Sequence, residues 1–185
     1  PLAGKIYPSF QEFLDLRPAG KPFCFWLGSP DPHRPYKGGS GKMRGMNLEK
    51  IRLPGCFPDA PIIRSDVADY YWEVERFDRL VGNALKLLEK AGELDNTLVV
   101  MTGDHGMPFP RCKSNLYDSG TRVPLAILPP RCVSHFQSGR TVNDLVSLTD
   151  LAPTFLELAG LPIPPEMTGR SLLDQLTSDK SGQID

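Results

Sequence analysis

Apolar positions recur along this 185-residue chain at spacings that separate helix from strand. From Ser9 to Leu16 the residues Phe10, Phe13, Leu14 and Leu16 form the apolar side of a short amphipathic helix, which Pro18 and Gly20 end. Phe23-Cys-Phe-Trp-Leu27 is a continuous apolar run, which predicts a strand covered on both faces. Between Ile62 and Ala91 the period becomes helical, with Val67, Tyr70, Tyr71, Val74, Phe77, Val81, Leu85 and Leu88 three or four residues apart. Gly92 stands where a helix end wants a residue free to turn left-handed. The β-branched run Thr97 to Met101 predicts a strand, and a helix leading into it makes half of a parallel crossover unit. Arg122 to Leu128 predicts another strand, closed by Pro129-Pro130. Thr149 or Asp150 can cap a helix through Leu158 with Pro153 in its first turn, and a last short helix is expected near Ser171 to Leu176. Strand and helix alternate, which argues for an α/β sheet, but three or four strands are few for a self-sufficient doubly wound domain.

The long interval from Gly28 to Pro61 reads as loop, and 19 prolines and 17 glycines predict shaped loops elsewhere too. Within it, Gly38-Gly-Ser-Gly-Lys-Met43 hints at a phosphate loop. It lacks the first glycine and the Ser or Thr after the lysine, so a flexible rim loop is the expectation. The 21 basic and 22 acidic residues leave a formal charge of −1, which gives no support to nucleic-acid binding or a membrane-surface role. No apolar run approaches the roughly 20 residues a membrane span needs. No basic-then-apolar secretion signal opens the chain. Cys24, Cys56, Cys112 and Cys132 lack the tight pairs of a zinc site; buried or half-buried thiols are expected rather than disulfides.

Candidate chemistry gathers after the predicted strands, where open α/β sheets place ligands. Thr102-Gly-Asp-His-Gly-Met-Pro-Phe-Pro-Arg-Cys-Lys-Ser-Asn-Leu-Tyr117 follows the Thr97 to Met101 strand. Asp104 is a hard oxygen ligand, His105 a nitrogen ligand and Lys113 a point charge for an anion. As an isolated triplet, Asp-His-Gly would more often be a turn with its carboxylate on backbone amides, and Lys113 an ordinary surface lysine. His33 follows the Phe23 to Leu27 strand, so it can face the same cleft. Imidazole exchanges protons near neutral pH, which suits a general acid. Arg34, Asn115 and Arg122 are weaker candidates that can orient loops or touch substrate.

Four stretches, in order, resemble the sulfatases of the alkaline-phosphatase superfamily, and among them most of all the heparan N-sulfatase (sulfamidase) branch. They are Asp31-Pro-His-Arg34; Val74-Glu-Arg-Phe-Asp-Arg-Leu-Val81 with Leu94-Asp-Asn-Thr-Leu-Val-Val100; the Asp104 to Tyr117 segment with Gly120-Thr121 and Pro124-Leu125; and Leu148-Thr-Asp-Leu-Ala-Pro-Thr154 with Thr168-Gly-Arg-Ser-Leu172. The resemblance implies an α/β fold with a mostly parallel sheet flanked by helices, incomplete here. Residues 1–176 would be the C-terminal portion of the catalytic domain and 177–185 a polar tail, with the N-terminal part of the domain as the missing partner.

The same resemblance implies hydrolysis of sulfate ester or sulfamate groups on sugars, with N-sulfoglucosamine the best substrate guess. Asp104 and His105 would bind calcium; sulfamidases usually carry Asn after that Asp, and the imidazole here also suits manganese or zinc. His33 and Lys113 would be catalytic, and Arg34, Asn115 and Arg122 substrate-binding. The branch usually has Arg where Lys113 stands. Formylglycine is expected in the missing part: Cys56-Phe-Pro-Asp-Ala60 lacks the Ser and Arg of the nucleophile motif and falls in the wrong place, so Cys56 is not the nucleophile. An extracytoplasmic location is implied as well. The alternatives are a phosphodiesterase or phosphonate hydrolase of the same superfamily, and a non-catalytic module that binds sulfated glycans. Without the nucleophile, these residues alone should not turn over substrate.

Overall fold

Ser9 starts the first helix as expected: its hydroxyl accepts from the Glu12 amide at 3.1 Å, and helix α1 runs Phe10–Leu16. The structure is a computed structural model that describes residues 4–133, 136 and 139–178; from residue 179 the polar tail lies outside the described residues. These fall into two compact units, Pro1–Leu94 with Gly103–Pro124, and Asp95–Thr102 with Leu125–Asp185.

In the first unit, Phe10 and Phe13 of α1 pack on Phe25 with ring centroids 4.8 and 4.6 Å apart, and Phe13 meets Phe23 edge-on at 5.4 Å. Leu16, expected on this apolar side, is instead exposed. The segment 23–27 is not a strand and pairs with no described residue. It alternates instead: Phe23, Phe25 and Leu27 turn partly inward, while Cys24 and Trp26 are exposed, Trp26 at 89%. A continuous apolar run needs partners on both faces to be a buried strand. Here α1 covers only one.

Helix α2 (Ser40–Met43) and a single 3-10 turn at Leu48–Lys50 interrupt the expected 28–61 loop. The 38–43 stretch is not a free rim. The Asp69 carboxylate accepts from the Gly39 and Gly41 amides, both at 2.8 Å, and from the Ser40 hydroxyl at 3.3 Å. Asp69 is itself buried. A Cβ at Gly41 would stand 2.3 Å from the Ala68 carbonyl oxygen, so only glycine lets α2 lie this close. Asp69 belongs to helix α3, Pro61–Lys90, which begins on a proline and is followed by Gly92 at φ +71°. At about 1.5 Å per residue α3 is roughly 45 Å long. Its first turns carry the core: Val67, Phe109 and Cys112 are buried together, with Tyr36, Phe57 and Tyr70 packed on them. Arg17 and Glu93 form an ion pair between the turn after α1 and the end of α3.

The second unit holds β1 (Val99–Thr102) and β2 (Leu125–Leu128). They pair antiparallel, with Val99 opposite Leu128 and Thr102 opposite Leu125. The expected parallel partner for β1 is not among the described residues; the sequence pattern located the strand but could not choose its neighbour. A 3-10 turn at Leu148–Asp150 leads into α5, Leu151–Leu158. Asp150 stands at the N-cap of α5, as expected, but its side chain makes no capping bond to that helix. Ser147 and Asp150 form a capping box on the turn, and the other Asp150 oxygen accepts from the Arg170 amide at 2.9 Å. Pro153 is in the first turn of α5, as expected. Buried Thr154 accepts from the Leu172 amide at 2.8 Å, just before helix α6, Leu173–Thr177.

All four cysteines are free thiols, but only Cys112 is buried; Cys24, Cys56 and Cys132 are exposed, against the expectation of burial. Among the described residues no helix is long and apolar enough to cross a membrane.

Candidate active site

The candidate residues all belong to the first unit, on two loops: 29–37 and 103–124. The second loop folds on itself through glycine. The Gly106 amide donates to the Gly120 carbonyl at 3.0 Å, and a Cβ at Gly106 would come within 2.0 Å of the Ser119 carbonyl oxygen. A Cβ at Gly120 would meet the Asn115 and Cys112 carbonyls at 2.3 and 2.4 Å. Inside this knot Phe109 and Cys112 are anchored in the core, and the Lys113 amide donates to the Met107 carbonyl at 3.1 Å. Arg111 and Ser114 adopt left-handed φ values of 62° and 63° on either side of Cys112-Lys113. That conformation is costly for residues with a Cβ, and such strain gathers where a side chain must be aimed.

Lys113 is aimed at His33. Its Nζ lies 3.3 Å from His33 Nε2, across 80 residues of chain. His33 Nδ1 lies 2.5 Å from the Arg34 carbonyl oxygen. A carbonyl can only accept, so Nδ1 carries the proton and the Nε2 lone pair faces the ammonium. Both atoms are thus held side by side at an exposed face of the loop, with no carboxylate on either among the described residues.

Arg34 positions this pair. Its guanidinium makes a two-pronged ion pair with Asp66 of α3 at 3.0 and 2.6 Å, and Nε donates to the Pro108 carbonyl at 3.2 Å. It also lies over the Tyr36 and Phe109 rings, 4.5 and 4.9 Å from their centroids. The hydrogen bond to Asp66 raises its pKa further, against the opposing effect of burial. One side chain therefore ties the His33 loop both to α3 and to the Lys113 loop. Tyr36 adds a bond from its hydroxyl to the Pro32 carbonyl at 3.0 Å, and burial pushes its pKa up to about 12.

Asp104 and His105 face each other, with Oδ1 3.6 Å from Nε2. His105 Nδ1 is 2.8 Å from the Gly106 carbonyl, to which it donates, so Nε2 presents its lone pair beside the exposed Asp104 carboxylate. A backbone carbonyl behind the far ring nitrogen is how proteins orient a metal-ligating histidine. The donor set fits a divalent cation, as two ligands. Among the described residues no group of three or more His, Cys, Asp or Glu gathers around a metal position. Calcium, with its six to eight oxygens, would need further ligands.

The other two candidates are less engaged. Asn115 is exposed and donates to the Lys113 carbonyl at 3.0 Å. Arg122 is exposed at the end of the short helix α4, Asp118–Thr121. Asp66 was invisible to sequence reasoning, because its ion pair spans 32 residues and no local motif marks it. The same holds for Asp31, Glu73 and Arg76. Arg76 bonds Glu73 at 2.6 Å and Asp31 at 3.3 Å, bracing the His33 loop from its other end. Burial, followed by a hydrogen bond with Asp31, raises the Glu73 pKa.

The family model named Sulfatase matches residues 2–161. This chain belongs to the sulfatase family. Human N-sulphoglucosamine sulphohydrolase is 33% identical over 189 residues, an alignment that covers 86% of this sulfatase chain and 37% of the human protein. The solved structure of BT4656, in complex with its substrate D-glucosamine-2-N,6-O-disulfate, superposes with TM-score 0.58 at 31% identity, covering 66% of this chain and 26% of that one. The phosphonate monoester hydrolase SpPMH from Silicibacter pomeroyi superposes with TM-score 0.57 at 27% identity, over 78% of this chain and 29% of its own. The sulfatase chain thus spans between 26% and 37% of these three proteins, and it has the partial α/β architecture of the alkaline-phosphatase-like sulfatases.

Proposed function

We propose that the chain is part of a sulfatase that hydrolyses sulfate ester or sulfamate groups on sugars, with N-sulfoglucosamine as substrate. The observation that carries this is the His33 Nε2 and Lys113 Nζ pair at 3.3 Å, built from two loops and with no carboxylate paired to either group among the described residues. An ammonium beside an imidazole nitrogen is an anion site with a proton carrier in it. Lys113 holds a sulfate oxygen and offsets negative charge as it grows on the leaving atom. His33, protonated at Nε2 in the working state, passes that proton to the departing amine or alcohol and thereby closes its charge balance. Arg34 acts through His33, by fixing its loop, and not on the substrate. Asn115 and Arg122, exposed on the same loop as Lys113, contact the sugar. Asp104 and His105 are two ligands of the cation, calcium first and manganese or zinc next. A cation held there would offset negative charge on the sulfuryl oxygens, and a formylglycine from outside these residues would supply the attacking hydroxyl. The enzyme works outside the cytoplasm.

Substrate support comes from the named relatives: the human one is an N-sulphoglucosamine sulphohydrolase, and BT4656 was solved with a glucosamine that carries both an N-sulfate and a 6-O-sulfate. The phosphonate monoester hydrolase neighbour gives the second reading its one specific observation. Transfer at phosphorus makes similar charge demands, so the two are separated by assay. The intact enzyme should release sulfate from N-sulfoglucosamine, lose that activity on chelation and regain it with calcium. Faster cleavage of a phosphonate monoester than of any sulfated sugar would replace this reading with the second.

A further inference from the structure

A separate basic pocket, lined by neither His33 nor Lys113, opens between α2 and α3. It encloses about 180 Å³, lined among others by Lys37, Arg44, Trp72, Glu73 and Arg76. Glu73 and Arg76 are satisfied by one another and by Asp31. Lys37 and Arg44 have no carboxylate partner among the described residues, so the pocket keeps an unbalanced positive charge. Arg44 is not loose, however: its guanidinium lies 4.6 Å from the Trp72 ring centroid, and Arg79 lies 4.4 Å from the same ring. An arginine already flattened on an aromatic face loses little further freedom when it grips an oxyanion. The volume is below the roughly 300 Å³ at which pockets begin to enclose whole small ligands. It suits one oxyanion with its waters.

The pocket is also tied to the candidate active site by chain. Lys37 ends the loop that carries His33, and four residues can separate their Cα atoms by at most about 14 Å. Asp31, two residues before His33, is held by the pocket's Arg76. An anionic group in the pocket and a sulfate at His33 can thus belong to one short oligosaccharide.

We propose that this pocket binds a second anionic group, a sulfate or carboxylate on a neighbouring sugar, and makes the enzyme prefer oligosaccharides to single sugars. It rests on the sulfatase reading, and the test separates the two. Titration calorimetry of the intact protein with a heparin tetrasaccharide, and with inorganic sulfate as comparator, reads binding without turnover. The tetrasaccharide should bind at least about tenfold more tightly than sulfate, and Lys37→Ala with Arg44→Ala should remove about tenfold of that affinity. Lys37→Gln, a change at an exposed residue, should by itself weaken binding several-fold with the melting temperature unchanged. Wild-type affinity in both variants, or equal affinity for tetrasaccharide and sulfate, overturns the proposal. In turnover, the double variant should raise KM for an N-sulfated tetrasaccharide while leaving kcat, and all kinetics on monomeric N-sulfoglucosamine, unchanged. Equal losses on both substrates overturn it too. If neither substrate is cleaved by the wild type, the sulfatase reading fails and the calorimetry still decides the pocket.

Discussion

Two glycine-bearing loops of the first unit meet the same problem in opposite ways. In the 38–43 loop, amides that could cradle an anion are already filled by the protein's own buried carboxylate, Asp69. In the 103–124 loop, Gly106 and Gly120 allow close backbone packing, while Asp104, Ser114 and Asn115 stay exposed. There Lys113 meets an imidazole instead of a carboxylate, and Asp104 is left exposed beside His105. Glycine content is therefore no guide to ligand binding. What separates these two loops is whether the protein supplies the counter-charge itself.

The sharpest way to break this contrast is at the outward loop. In the intact enzyme, His33→Ala should lower kcat for sulfate release by about 10² to 10⁴, the usual contribution of a general acid, and Lys113→Ala by about 10² to 10³. Stability should hardly change in either, as read by thermal melts. Wild-type rates from both variants would remove the pair from the chemistry. At the inward loop the outcome should invert. Asp69→Ala leaves two amides without their acceptor and should cost about 2 to 4 kcal/mol in urea denaturation, with chemistry on the folded fraction intact. Gly106→Ala forces a Cβ against the Ser119 carbonyl and should cost about 1 to 3 kcal/mol, as well as misplacing Lys113.

The loops that hold His33 should also betray themselves by pH. Burial keeps the folded-state Tyr36 phenol protonated up to about 12, whereas an unfolded phenol ionises near 10. Above pH 10 the unfolded chain has therefore released a proton that the folded one retains, and stability falls from there to about pH 12, then levels. Tyr36→Phe should flatten that alkaline limb, at the smaller constant cost of its bond to Pro32. Denaturation midpoints at pH 9 and pH 11.5 measure the difference. The smallest effect is expected at Ser114, where Ser114→Gly relieves a left-handed backbone and should gain at most about 1 kcal/mol. Any accompanying loss of kcat would show that the strain helps to aim Lys113.

Much of this was legible in the residues. The α3 periodicity, the short helix ending at Leu16, Gly92 as a terminator and the two short strands are local signals, set by side-chain spacing and by which residues tolerate a given backbone angle. So was the set of candidate groups, since Asp, His and Lys after a strand carry their chemistry with them. The long-range choices were not. Whether 23–27 finds a partner, whether β1 pairs parallel or antiparallel, and whether Asp69 or a ligand fills the 38–43 amides depend on segments far apart in sequence.

Sequence alone determined the family, the elements and the reactive residue types, because those follow from local spacing and from motifs in a fixed order. Only the tertiary structure decided which charges cancel. It set Arg34 against Asp66 and Arg76 against Glu73, and left Lys113 facing His33. Electrostatic pairing falls off with distance in space, and no rule of spacing along the chain says which of 43 charged side chains will meet.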